Sequence, residues 1–295
     1  SEDGIDLFTY LSEISTVNYT DEYNEKSVEY LTQLKALPVY GNYAEGIKAI
    51  QKEEPYEKAL HSRALLIYAS RQSARLFEYS EEEIQGILME LSPLAADLLP
   101  GEIKRLPQYY GSQTLINLSA GNIELFLHLS SRMFEVLLAK KIMDSANYAL
   151  EPETQDSIIK SFCKKRFEEI KRLPRGNKIY AFLNQVISFC KEQTYSDSYS
   201  YRTVSGFAVK EENSGRYGYD GFWFQDEKNS EVALLLRDCM AFNLLEKDPH
   251  TQGEKGQNWT VFYLNYWLCA HANLPLRRGG WRKLPLSQLK QWISK

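Results

Sequence analysis

The sequence predicts a mainly α fold, a multi-helical body followed by a winged-helix-like module with a small β-wing. Apolar residues recur at helical spacing up to Lys191, while runs rich in β-branched and aromatic residues are confined to the last third of the chain. In that last third the order is helix, strand, polar loop, strand, which is the order of a winged helix. With 295 residues, 43% hydrophobic and 25% charged, the chain has the composition of a soluble globular protein, long enough for one large core or two smaller ones.

Taken in order, residues 6–19 carry Leu7, Phe8, Leu11 and Ile14, and residues 27–37 carry Val28, Leu31 and Leu34, which predicts two short helices. A break at 38–46, with Pro38, Gly41 and Gly46, precedes a longer helix expected over 55–77. Ser80 and Glu83 form a capping-box signature, and Ile84, Ile87, Leu88 and Leu91 follow it. Pro93 is expected to start a new turn, after which 94–106 runs to Pro107. Asn122 can cap the next helix, whose residues Ile123, Phe126, Leu127, Leu129, Met133, Phe134, Val136, Leu137 and Leu138 read as buried.

Glu151 and Glu153 with Pro152 mark another helix start, since the dipole favours acids and the first turn tolerates proline. Ile158, Ile159, Phe162, Phe167 and Ile170 continue it to Leu173. The segment 174–177 turns the chain into a second helix through Ile179, Phe182, Val186 and Cys190. Residues 203–209 and 217–224 read as strands around a turn at 211–215, and 229–245 returns to helical spacing. A polar loop at 246–257 then leads to an apolar, β-branched and aromatic run at 259–268. The sequence shows no internal repeat and no low-complexity tract.

Three passages carry a family resemblance. The words Tyr109-Tyr110-Gly111-Ser112-Gln113-Thr114-Leu115-Ile116 and Leu118-Ser119-Ala120-Gly121-Asn122-Ile123 resemble the lid region of AAA+ ATPases, and more narrowly the bacterial proteins of the ORC/Cdc6-like family. The start Pro152-Glu153-Thr154-Gln155 is similar to the proline-x-x-glutamine helix that begins the family's C-terminal module. The ending Leu264-Asn265-Tyr266-Trp267-Leu268, Leu274-Pro275-Leu276 and Gly279-Gly280-Trp281 resembles the family's terminus. The resemblance implies a lid-like body over residues 1–147 and a winged-helix-like domain over 148–295, with the boundary near Asn147. It also implies a lid helix that in the family often carries a nucleotide-sensing arginine; Glu124 stands at that position here.

Charge is unevenly spread. The net charge is -4, but residues 1–57 hold twelve acidic side chains against Lys26, Lys35, Lys48 and Lys52, while 160–178 is strongly basic. No run of about 18 apolar residues and no signal-peptide pattern is visible, so the expectation is a cytoplasmic protein with no membrane contact. The start at Ser1, close to patterned sequence, predicts a fragment or a processed chain.

A phosphate cradle needs a glycine-rich loop ending in lysine and a hydroxyl residue, and none is present; no nucleotide or other cofactor is expected for this chain. Cys163, Cys190, Cys239 and Cys269 are widely spaced, which predicts buried reduced thiols rather than a disulfide framework. Cys239, His250, Cys269 and His271 lack zinc-ligand spacing, so no metal is expected. Cys163 or Cys190 with His128 or His271 lacks the strained turn or orienting partner of a nucleophile, and no catalytic residue is assigned. Glu81, Glu82 and Glu83 read as a solvated first helical turn.

Two basic clusters remain. Lys160, Lys164, Lys165, Arg166, Lys171, Arg172, Arg175 and Lys178 fall partly on one helix side, where a phosphate backbone could be met. Arg277, Arg278, Arg282 and Lys283, with Trp281, follow or flank a glycine pair. Arg237 is the strong base reader on the helix in the recognition position. The leading expectation is the DNA-binding or partner-docking C-terminal region of an ORC/Cdc6-like protein, meeting double-stranded DNA and a protein that supplies an ATPase core. The rival is a protein-interaction scaffold without nucleic-acid or nucleotide activity, in a bacterial complex of defence or mobile-element type. A catalytic role ranks third.

Overall fold

The computed structural model describes residues 7–143, 149–195, 203–210, 230–248, 259–278 and 280–293. Four helices open it: α1 (Thr20–Lys35), α2 (Ala44–Ile50), α3 (Pro55–Ala69) and α4 (Glu81–Glu102). Their apolar faces close one hydrophobic cluster, from Tyr19 through Leu34, Ile47, Leu66 and Ile84 to Leu98 and Leu106. Ser80 caps α4 as the sequence predicts: its hydroxyl accepts the Glu83 N–H at 3.2 Å, and the Glu83 carboxylate accepts the Ser80 N–H at 2.8 Å.

Several expected boundaries move. Residues 7–10 form only a 3-10 turn, because Leu11 leaves it to pair in parallel with Leu150 and bury its side chain. The Ser12 N–H then donates to the Leu150 carbonyl at 3.0 Å, so the backbone is engaged with a distant segment rather than with itself. Helix α3 stops at Ala69, not near Phe77, and Asn42 takes over the backbone beyond it. Pro93 starts no new element: α4 runs 22 residues through it. An interior proline costs about 3 kcal/mol, whereas each fully buried leucine returns about 1.5–3 kcal/mol. With Leu91, Leu94, Leu98 and Leu99 all buried around it, continuation wins.

The second cluster gathers α5 (Ser112–Ser119), α6 (Ile123–Ile142), α7 (Pro152–Glu169), α8 (Gly176–Tyr195), α9 (Ser230–Ala241), α10 (Tyr266–His271) and α11 (Leu286–Ile293) about a small sheet. Asn122 does cap α6, accepting the Leu125 N–H at 3.2 Å. Yet α6 is not buried all round. Leu125, Leu129, Met133 and Leu137 are buried at every fourth position, while Ile123 and Leu127 are 69% and 56% exposed.

The sheet holds β1 (Val204–Lys210), β2 (Leu245–Lys247), β3 (Trp259–Leu264) and β4 (Gly280–Lys283) in the order β2-β3-β1-β4. β3 is antiparallel to both β1 and β2, and β4 adds in parallel to β1. Side chains alternate as a pleat requires: Phe207, Val209, Phe262 and Leu264 join the main cluster, and Ala208, Trp259, Val261 and Tyr263 form another on the opposite face. The apolar run 259–268 is only half strand. Asn265 accepts the Trp267 N–H at 3.4 Å and opens α10, so Trp267 and Leu268 pack from a helix. The mainly helical body with a small β-module is thus the observed fold. The strand expected at 217–224, the turn at 211–215, most of the polar loop at 246–257 and the boundary at Asn147 lie outside the described residues.

Candidate nucleic-acid interface

Helix α7 carries the largest group of basic residues, and its first turn is fixed by two buried polar side chains. Asp156 Oδ1 accepts the N–H groups of Gln108 and Tyr109 at 3.1 and 3.0 Å; Gln155 ties Gly111, Ser12 and Leu150 together. Tyr109, also buried, donates its hydroxyl to the Leu274 carbonyl at 2.8 Å, reaching the segment just after α10. The residues that carry the family resemblance near Gly111 and Gln155 therefore hold the helix in place.

At its far end α7 continues as a 3-10 turn (Ile170–Arg172), and Arg175 adopts φ 56 so that α8 begins at once. Gly176 is required there, since a Cβ would fall against the Ile170 carbonyl oxygen. The turn brings Arg175 to α9, where its guanidinium donates to Asp238 at 2.6 Å, and Lys178 reaches Glu231 at 2.8 Å. Arg237, beside Asp238, thus stands close to the α7–α8 turn.

Most of the sequence-expected basic residues are already matched. Lys160 pairs with Asp156, Lys171 with Glu168, and Arg166 with both carboxylate oxygens of Glu124 at 3.3 Å. Arg277 is bonded to Asp97 and Arg278 to Glu246, joining or bracing distant segments. Arg282 is half-buried and donates to the Trp281 carbonyl at 3.1 Å. Burial, and for Arg282 also the nearby Arg71 charge, lowers the pKa of Arg278 and Arg282. Lys283 lies over the Trp259 ring at 5.0 Å. By contrast Lys164, Lys165, Arg172 and Arg237 are exposed and make no ion pair among the described residues. The structure brings Arg175 and Lys178, at the turn after α7, against α9, which carries Arg237, and it places Arg277 and Arg278 before β4 and Arg282 and Lys283 on it.

Glu124 occupies a specific place. It sits on the first turn of α6, and its two hydrogen bonds from Arg166 hold its carboxyl below the usual range. Here a glutamate pins α6 to α7. Beneath this pair runs a groove of about 660 Å³ between the two helices, floored by Val136, Ile158 and Phe162. No local pattern announces that groove, because it depends on the relative placement of two helices that are each merely amphipathic.

All four cysteines are buried and free, and burial pushes the Cys163, Cys239 and Cys269 thiols up to about 12. Such thiols are poor nucleophiles and poor ligands. Among the described residues no three His, Cys, Asp or Glu side chains gather as a metal site, and no helix is long and apolar enough to cross a membrane.

No curated protein and no solved structure matches the chain. A family model does: the one described as ORC-CDC6-like matches residues 9–284, nearly the whole length. The chain belongs to the ORC-CDC6-like family.

Proposed function

We propose that residues 148–295 form a winged-helix-like DNA-contacting module, which positions an ATPase on double-stranded DNA. The carrying observation is the sorting of the basic side chains. Among the described residues Lys164, Lys165, Arg172 and Arg237 are exposed and make no ion pair on α7, its 3-10 extension and α9, whereas most of the other cations expected from the sequence are held by acids. Exposed cations without an acidic partner can neutralise phosphates directly and release the counterions condensed on duplex DNA. The helix α9, short strand β2 and strand β3 follow in winged-helix order, with Arg237 on the helix. Arg166, Lys171, Arg175 and Lys178 flank the patch and would have to exchange carboxylates for phosphates.

The arrangement favours sequence-independent binding, because one free arginine on α9 offers little base readout. The experiment is a salt titration of duplex DNA binding by the parent and by a variant with Lys164→Glu, Lys165→Glu, Arg172→Glu and Arg237→Glu. Four lost phosphate contacts flatten the slope of log K against log salt by roughly 0.9 each. A parent that shows no salt-dependent binding overturns the proposal and leaves the scaffold reading.

A further inference from the structure

The loop between α3 and α4 presents the most exposed large apolar side chain among the described residues, and it does so from a fixed backbone. Leu76 is 96% exposed and Phe77 78% exposed. Asn42 holds the loop at four points: its amide nitrogen donates to the Arg75 and Phe77 carbonyls at 2.9 and 3.0 Å, its amide oxygen accepts the Arg75 N–H at 3.1 Å, and its carbonyl accepts the Tyr79 N–H at 2.9 Å. Tyr79 is buried, stacks on Tyr43 at 4.7 Å and carries the Arg75 guanidinium over its ring at 4.2 Å. A tip anchored so firmly has little entropy to lose when it docks.

Charges beside the tip select its partner. Arg75 is matched by Glu83, but Glu78, Glu81 and Glu82 are exposed and make no ion pair among the described residues. Three adjacent carboxylates disfavour nucleic acid and an anionic lipid surface alike. They call for an apolar socket with a cationic margin. The same chain contains one: the groove between α6 and α7 has an apolar floor at Val136, Ile158 and Phe162, with Ser131, Ser157 and Ser161 leaving room above it. Its charges Glu124 and Glu135 are already neutralised by Arg166 and Arg132, while Lys165 on its edge and the neighbouring Lys164 and Arg172 make no ion pair among the described residues. Among the described residues that line the groove, Glu169 is the one carboxylate without an ion pair. The tip does not fill its own groove, since Leu76 stands in solvent.

We propose that the Leu76–Phe77 tip of one chain seats in the α6–α7 groove of a second copy, with Glu78, Glu81 and Glu82 meeting Lys164, Lys165 and Arg172. The contact is heterologous, so each chain offers one tip and one groove and association can extend beyond a dimer. It requires no DNA. The surface involved is small, so association is weak and salt-sensitive.

Sedimentation velocity of the full chain without DNA, over a range of concentration and salt, tests this. The parent is expected to show a sedimentation coefficient that rises with concentration and falls back with salt. Leu76→Ser with Phe77→Ser removes the tip, and Ser131→Trp with Ser161→Trp fills the groove; all four positions are exposed or at the groove rim, so both variants are expected to melt like the parent. Each variant alone is expected to stay monomeric. An equal mixture of the two retains one tip and one complementary groove, and is expected to give a dimer that does not grow. A parent that is monomeric throughout overturns the proposal, as does self-association unaffected by either variant. Loss in the tip variant alone assigns the socket to another surface and overturns the groove assignment. Because no DNA is present, these results are independent of the DNA titration above.

Discussion

The amide oxygen of Gln155 accepts the Gly111 N–H at 2.8 Å across 44 positions of sequence, while its amide nitrogen donates to the Ser12 and Leu150 carbonyls at 2.7 and 2.6 Å. Gln155 is fully buried, and Gly111 has φ 84, a conformation that few other residues adopt without strain. One side chain thus fixes the N-terminal segment, the entry to α5 and the start of α7. Gln155→Ala leaves the buried Gly111 N–H and the part-buried Ser12 carbonyl without this partner, each costing about 1–3 kcal/mol before relaxation or water entry, while the Leu150 carbonyl keeps the Ser12 N–H. The expected loss is several kcal/mol, measured by chemical denaturation. A change under about 1 kcal/mol would show that the tether is redundant.

Arg63 is nearly fully buried and forks onto Glu102, which also accepts the Tyr30 hydroxyl. Burial and the Glu102 charge raise the Tyr30 pKa well above its ordinary value. Removing one member of such a pair strands the other charge. Arg63→Met is expected to cost about 3–5 kcal/mol, and Arg63→Met with Glu102→Leu to recover most of it. Thermal and denaturant unfolding of the two variants checks this, and equal losses would contradict it.

The distance between sequence and structure is itself physical. Local signals were legible where the deciding interaction is local: Ser80 with Glu83, and Asn122 with Leu125, close rings within three residues. The signal failed where a distant partner decides, as with Leu11 pairing with Leu150 or the packing that carries α4 through Pro93. Strand β4 was not anticipated, because its four residues gain their order only from lying beside β1. For the candidate site, the sequence located the basic residues but not their pairing. Glu124, Asp238, Glu231 and Asp97 lie far along the chain from the cations they neutralise, so only the fold separates the free Lys164, Lys165, Arg172 and Arg237 from the rest.

Glu124 gives a pH test of that pairing. Its folded pKa is lowered, chiefly by the hydrogen bonds from Arg166, so its contribution to stability is present above the unfolded value of about 4.3 and is lost as pH falls through the folded value. NMR titration is expected to find Glu124 below the ordinary glutamate range in the parent and back within it in Arg166→Ala. An unchanged titration in the variant would remove Arg166 as the cause.

The buried thiols predict a chemical behaviour. With all four cysteines buried and their pKa values raised by desolvation, the native protein should react with a disulfide reagent only as fast as it opens, and unfolding should release four thiols. Rapid labelling of the native chain would show a cleft reaching one of these positions.

The turn at Gly176 connects stability to the candidate interface. Any β-carbon there meets the carbonyl groups of Ile170 and Lys171, so Gly176→Ala must open the turn between α7 and α8. Arg175 would then move away from Asp238, and Arg172 would lose its fixed place relative to Arg237 on α9. The loss of stability is expected at about 2–4 kcal/mol, the range of a backbone clash in a packed site. If the interface acts as one surface, DNA affinity should fall even at temperatures where the variant is fully folded. Its salt slope should fall by less than in the fourfold charge reversal, because no cation has been removed, only its alignment. Affinity and slope both at parental values in a folded Gly176→Ala chain would show that α7 and α9 contact DNA independently or not at all.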